Sequence, residues 1–72
     1  MSDPYYAIAS LIGGNIRDKR TDSDLSQREL GQRVFVSHRT ISDYERGVRV
    51  PSAARLFMIS VALNCKPWQL WE

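Results

Sequence analysis

Cysteine is all but missing from this 72-residue chain: Cys65 stands alone. Without a second thiol an internal disulfide is excluded, which fits a reducing, cytosolic setting. Cys65 follows Ala62 and Leu63, an apolar context in which a buried structural thiol is expected rather than a reactive one. There is one histidine, and His, Cys, Asp and Glu show no clustered ligand spacing, so no metal and no cofactor are expected. His38 and Asp43 lie five apart on one short segment with no nucleophile to serve, so no enzymatic function is expected either. No apolar run approaches the ~18 residues of a membrane span. No basic segment followed by an apolar one opens the chain, so no signal peptide is read. Strand patterning, internal repeats and low-complexity tracts are also lacking. Lysine occurs only at positions 19 and 66.

What is present is ordinary for a small folded domain: 43% hydrophobic and 25% charged residues. The length implies one domain, residues 1–72, with a small core and modest stability. Net charge is only +2, but its distribution is uneven. Six arginines (28, 33, 39, 46, 49 and 55) face three acids (Glu29, Asp43 and Glu45) between residues 28 and 55. Arginine makes forked contacts to phosphate and guanine. Composition alone leaves a set of solvated surface arginines equally open.

Helical periodicity runs nearly throughout. Asp3-Pro4 reads as a helix start, a capping residue followed by proline at the first helical position. Ile8, Leu11, Ile12 and Ile16 follow at helical spacing. Gly13-Gly14 interrupts them at roughly 1 kcal/mol per glycine relative to alanine. Either the helix is irregular there or the preceding residues form an extra turn, so residues 1–10 read as an irregular N-terminal extension. "TDSD" (21–24) is a turn. Ser26 and Glu29 form a capping box that opens a short helix with Leu30 and Val34 inward. Ser37 caps the next helix, with Ile41 and Tyr44 inward, and Gly47 ends it as a left-handed cap. Ser52 caps a fourth helix burying Leu56, Ile59, Ala62 and Leu63, which Asn64 ends. Pro67 opens a fifth, "PWQLW". The predicted fold is therefore all-α, five short helices. The second and third are joined so tightly that they form a helix-turn-helix.

The stretch "IGGNIRDKRTDSDLSQRELGQRVFVSHRTISDYERGVRVPS" resembles the phage Cro and repressor-like (XRE-type) helix-turn-helix family. The residues that carry the resemblance include Ile12, Gly13, Ile16, Arg17 and Arg20; then "LSQ" at 25–27 and Leu30; then "VS" at 36–37, "IS" at 41–42, Tyr44, Glu45, Gly47 and Pro51. "ALNCKPWQLW" is similar to the family's fifth-helix segment, so the match covers about residues 11–72. The resemblance implies a lambda-repressor-like domain with its third helix in the DNA major groove. By position it implies base contacts from Ser37, His38, Arg39, Ser42 and Asp43. Arg39 suits a fork to guanine, His38 a bond to guanine N7, and Asp43 a cytosine amine. The bland alternative is a solvated face with Arg39 and Asp43 paired at i,i+4. Gln27 is expected to bond a phosphate and brace a recognition-helix side chain. Asn15, Arg46 and Arg49, with Arg17 and Lys19 less strongly, are expected on backbone phosphates. Arg20 and Glu45 match a structural ion pair of the family, with DNA contact by Arg20 as the alternative.

Two departures stand out. The family usually has glycine where this chain has Phe35. An altered turn is expected, with Phe35 covering apolar surface, because a bulky residue disfavours left-handed backbone. The family's usual alanine is here Gly31, which keeps a close helix approach but weakens the second helix. Trp68 and Trp71 enrich the fifth helix. Leu70 and one tryptophan are expected in the core, leaving Trp68 exposed. The two tryptophans are read as a homodimer contact, with capping of the small core as the alternative. The expected function is a sequence-specific, double-stranded-DNA-binding transcriptional regulator acting as a dimer on a two-fold operator. It is expected in the cytoplasm of a prokaryote, or encoded by a phage. Phage repressor, restriction–modification controller and antitoxin contexts stay open, as does a protein-interaction module on the same fold.

Overall fold

Ser and Asp side chains begin every α-helix of the computed structural model, which describes residues 3–72. Helix α1 spans Pro4–Asp22, α2 Gln27–Val34, α3 His38–Glu45 and α4 Ala53–Ala62; a single 3-10 turn, Pro67–Leu70, follows. No strand occurs among the described residues. The all-α reading stands, with the fifth helix shortened to that turn.

The Asp3 carboxylate accepts a bond from Tyr5 N (2.9 Å) and Pro4 takes the first helical position. From there α1 runs unbroken through Gly13-Gly14. The irregular extension expected over residues 1–10 is regular helix from Pro4 onward; residues 1 and 2 lie outside the described residues. The helix also takes in Thr21 and Asp22, which shortens the expected "TDSD" turn to Ser23 and Asp24. The buried face of α1 is Ala9, Ile12, Gly13 and Ile16, an i, i+3, i+4, i+7 set. Ile8 and Leu11, read at the same helical spacing, fall beside that face and are exposed.

Both halves of the capping box form. Glu29 N donates to Ser26 Oγ (3.0 Å) and Ser26 N to Glu29 Oε1 (2.9 Å). The Ser26 backbone bond, seconded by its hydroxyl, draws the Glu29 carboxyl below its ordinary range. Ser37 and Ser52 cap α3 and α4 in the same way, through Thr40 N and Arg55 N (3.1 Å each). At the end of α3, Gly47 (φ 74°) takes the left-handed cap. Gly47 N bonds Tyr44 O and Val48 N bonds Asp43 O, the paired bonds of a Schellman motif.

One core ties the elements together. Ile16 of α1, Leu30 and Val34 of α2, Ile41 of α3, Ile59 of α4 and Leu70 are all fully buried. At roughly 1.5–3 kcal/mol per buried side chain, no element is held by propensity alone. Helix α3 packs between α1 and α2, α4 covers α2, and the 3-10 turn closes against α4 and α1. Arg55 of α4 reinforces this by donating Nη1 to Val34 O at 2.6 Å, a bond that nothing in the sequence signalled.

The turn between α2 and α3 corrects one expectation. Phe35 adopts the left-handed conformation (φ 63°, ψ 39°) that glycine would take, and its ring is 79% exposed. The turn is not remodelled, because its geometry is held from both sides. Gly31 O accepts from Phe35 N and Val36 N, and the Ser37 cap follows at once. A Cβ on Gly31 would lie 2.6 Å from Val36 O, so the tight turn also needs the bare glycine. A left-handed residue other than glycine costs roughly 1–2 kcal/mol. Glycine's greater unfolded freedom returns about half of that. Phe35→Gly should therefore raise Tm by about 3–6 °C in a calorimetric scan; a lowered Tm would mean that the ring contributes to the fold.

Candidate nucleic-acid interface

Helix α3 buries Ile41 and Tyr44 and turns its other side outward. Ser37, His38 and Arg39 are exposed there; Ser42 and Asp43 are half-buried. No hydrogen bond joins His38 or Arg39 to another described side chain, so their donors are free. The alternative pairing of Arg39 with Asp43 is not formed. Asp43 Oδ1 accepts instead from Arg46 Nη2 at 2.5 Å. That i,i+3 spacing was visible in the sequence.

Beneath this face lies a charged network. Arg20 Nε donates to Glu45 Oε2 (2.6 Å) and Arg20 Nη2 to Glu45 Oε1 (3.0 Å), a forked pair. Arg20 Nη1 also reaches Leu25 O (2.8 Å). The Arg20 side chain is 13% exposed and that of Glu45 4%. The hydrogen bond to Glu45 raises the guanidinium above its ordinary range against the opposing pull of burial. Gln27 adds Nε2 to Glu45 Oε1 at 3.1 Å. One carboxylate thus fastens α1 and the start of α2 to the end of α3. Gln27 keeps its carbonyl and one N–H unused.

The expected phosphate contacts separate on the structure. Arg17, Arg46 and Arg49 are exposed. Arg17 stands one turn from Gly13 and Arg20, on the side of α1 that meets α3. Asn15 does something else: its Nδ2 donates to Leu70 O (3.0 Å) and Glu72 O (3.2 Å). Both amide protons are spent on the C-terminal segment, which removes Asn15 from the phosphate set. Lys19 is half-buried; burial pushes the Cys65 thiol pKa up and the Lys19 charge pulls it down. Cys65 is half-buried against the core.

Neither tryptophan enters the core: Trp68 is 53% and Trp71 47% exposed. This corrects the expectation that one would join Leu70 inside. In a 3-10 turn residues i and i+3 align. Pro67 and Leu70 share one edge of the turn, Trp68 lies off that edge, and Trp71 follows the turn. Phe57 and Val61, one turn apart on α4, are exposed as well. No helix of the described residues is long and apolar enough to cross a membrane.

Comparison with known proteins gives this geometry a context. The helix-turn-helix family model matches residues 16–67. The chain is 38% identical over 61 residues to the HTH-type transcriptional regulator DicA of Escherichia coli, covering 83% of this chain and 45% of DicA. Among solved structures it is similar to the restriction–modification controller protein C.AhdI from Aeromonas hydrophila. That match has a TM-score of 0.87 and 28% identity over 94% of this chain and 99% of the other. It is also similar to the P22 c2 repressor, determined in complex with a synthetic operator. There the TM-score is 0.82 and the identity 37%, over 86% of this chain and 94% of the other. The chain spans about half the length of the first curated relatives it matches, 46% and 45%.

Proposed function

The chain belongs to the Cro and repressor-like helix-turn-helix family, and from that premise we propose that it is a sequence-specific, double-stranded-DNA-binding transcriptional regulator. The observation that carries the reading is the outward face of α3. Its His38 and Arg39 donors are unpaired, on a fold that matches a repressor bound to operator DNA. Ser37, His38, Arg39 and Ser42 address base edges in the major groove. Asp43 lies on the same face but already engages Arg46.

Gln27 at the start of α2, with Arg17, Arg46 and Arg49, addresses the phosphates on either side. The backbone N–H groups at the start of α2 favour an anion there. Two copies associate through the exposed Trp68 and Trp71 and place two recognition helices on a two-fold operator. The setting is the cytoplasm of a bacterium or of a phage-infected cell. No catalytic role is assigned.

Selection of binding sites from random duplex DNA tests this. The expected product is a palindrome whose half-sites lie about 10–10.5 bp, or a multiple, apart. Recovery of a single half-site would refute the dimer. No enrichment over the starting pool would refute DNA reading and leave a protein-interaction module.

A further inference from the structure

Arg46 caps the end of α3, one turn after Asp43, and the two side chains form an ion pair of unequal members. The Asp43 side chain is 17% exposed and that of Arg46 59%, so the carboxylate is the inner partner and the guanidinium the outer. Only Nη2 of Arg46 meets Asp43. A guanidinium has five N–H donors in a rigid fork, so most of this one is left for a further acceptor. Asp43 is itself anchored. Its carbonyl accepts from Val48 N (2.9 Å) and Arg49 N (3.3 Å), which closes the left-handed end of α3.

We propose that Asp43 reads no base and is instead a positioning residue that holds Arg46 with its free donors turned toward a DNA phosphate. The proposal rests on the DNA-binding reading above and assigns one residue within it. Three arguments support it. A flexible arginine loses rotamer freedom when it clamps a phosphate, and a prior carboxylate bond removes part of that loss before DNA arrives. A bare carboxylate on this face is repelled by phosphates, whereas one paired with Arg46 is neutralised. Asp43 is also the inner member of the pair, 17% exposed against 59% for Arg46, so the guanidinium rather than the carboxylate is the group presented outward.

The test measures the affinity of wild type, Asp43→Ala, Arg46→Ala and the double variant for the selected operator and for a scrambled duplex. Asp43→Asn serves as a second, isosteric variant, and circular dichroism checks each fold. Asp43→Ala should weaken both duplexes alike, by roughly three- to ten-fold. Asp43→Asn should lose less, and Asp43→Ala should add nothing once Arg46 is gone. The proposal is overturned if Asp43→Ala relaxes preference at one base pair per half-site, because Asp43 then reads a base. Tighter binding to both duplexes overturns it too, since the carboxylate then only repels. So does an equal loss in both Arg46 backgrounds, since Asp43 then acts independently. Failure of the wild type to prefer any duplex is a different result, for it removes the DNA-binding reading before any variant is compared.

Discussion

Gly13→Ala is expected to cost about 3 kcal/mol, near the upper end for an overpacked core, while Gly14→Ala next to it should stabilise by about 1 kcal/mol. A Cβ on Gly13 would lie 2.2 Å from Tyr44 O and 2.7 Å from Glu45 O. Both atoms are backbone and cannot swing aside. Helix α1 would have to move off α3, at the point where Glu45 receives Arg20. Alanine's better helix propensity returns about 1 kcal/mol, too little to offset the clash. A Cβ on Gly14 meets nothing within 4 Å, so only the propensity gain remains. A domain of this length has roughly 4–11 kcal/mol in all, so the first change removes a large share of it. Urea unfolding of both variants decides the matter. Equal stabilisation by both would mean that α1 does not approach α3 this closely.

Glu45→Gln should lower stability by about 2–4 kcal/mol, the cost of breaking a largely buried pair from one side. The carboxylate accepts two bonds from Arg20 and one from Gln27. An amide in its place removes the charge and presents N–H groups to a guanidinium that offers only donors. Arg20, 13% exposed, would keep its charge without a counter-ion. Tm should fall by more than about 10 °C. The preferred operator should stay the same, since the network lies beneath the reading face. An unchanged Tm with an altered operator preference would place Glu45 on DNA instead.

Local chemistry was the legible part of this chain. Ser26 with Glu29, Ser37, Ser52, Gly47 and Asn64 mark helix ends through bonds to neighbours a few residues away, and each end lies where its marker stands. The inward positions Leu30, Val34, Ile41, Tyr44 and Ile59 followed from periodicity. What the sequence obscured depends on packing between distant elements. Gly13-Gly14 reads as a helix breaker by propensity, yet α1 runs through it, and a Cβ on Gly13 would collide with the α3 backbone. Phe35 is forced left-handed by its flanking caps, against its own steric preference. Asn15 looks like a free polar residue until the carbonyls of Leu70 and Glu72 are brought against it. Trp71 lies just past a 3-10 turn that replaces the expected fifth α-helix, and it stays exposed. On the site, residue types and spacing located the α3 face. They did not show that Asp43 is held by Arg46, nor that Glu45 is the α3 side chain that Gln27 braces.

In the proposed function, α3 reads sequence while the arginines around it hold the backbone. A salt titration of Arg39→Ala and Arg46→Ala on the selected operator and on a scrambled duplex tests it most directly. A forked arginine–guanine bond pair discriminates by about 1–3 kcal/mol. Arg39→Ala should therefore lose affinity for the operator by that amount, barely change on the scrambled duplex, and relax preference at one base pair per half-site. Arg46→Ala should weaken both duplexes alike, and its slope of log affinity against log salt should shrink by about 0.9 for each phosphate that the variant no longer neutralises. Equal weakening of both duplexes by Arg39→Ala would make Arg39 another phosphate clamp and contradict its reading role. DNA binding unaffected by either variant would contradict the account as a whole.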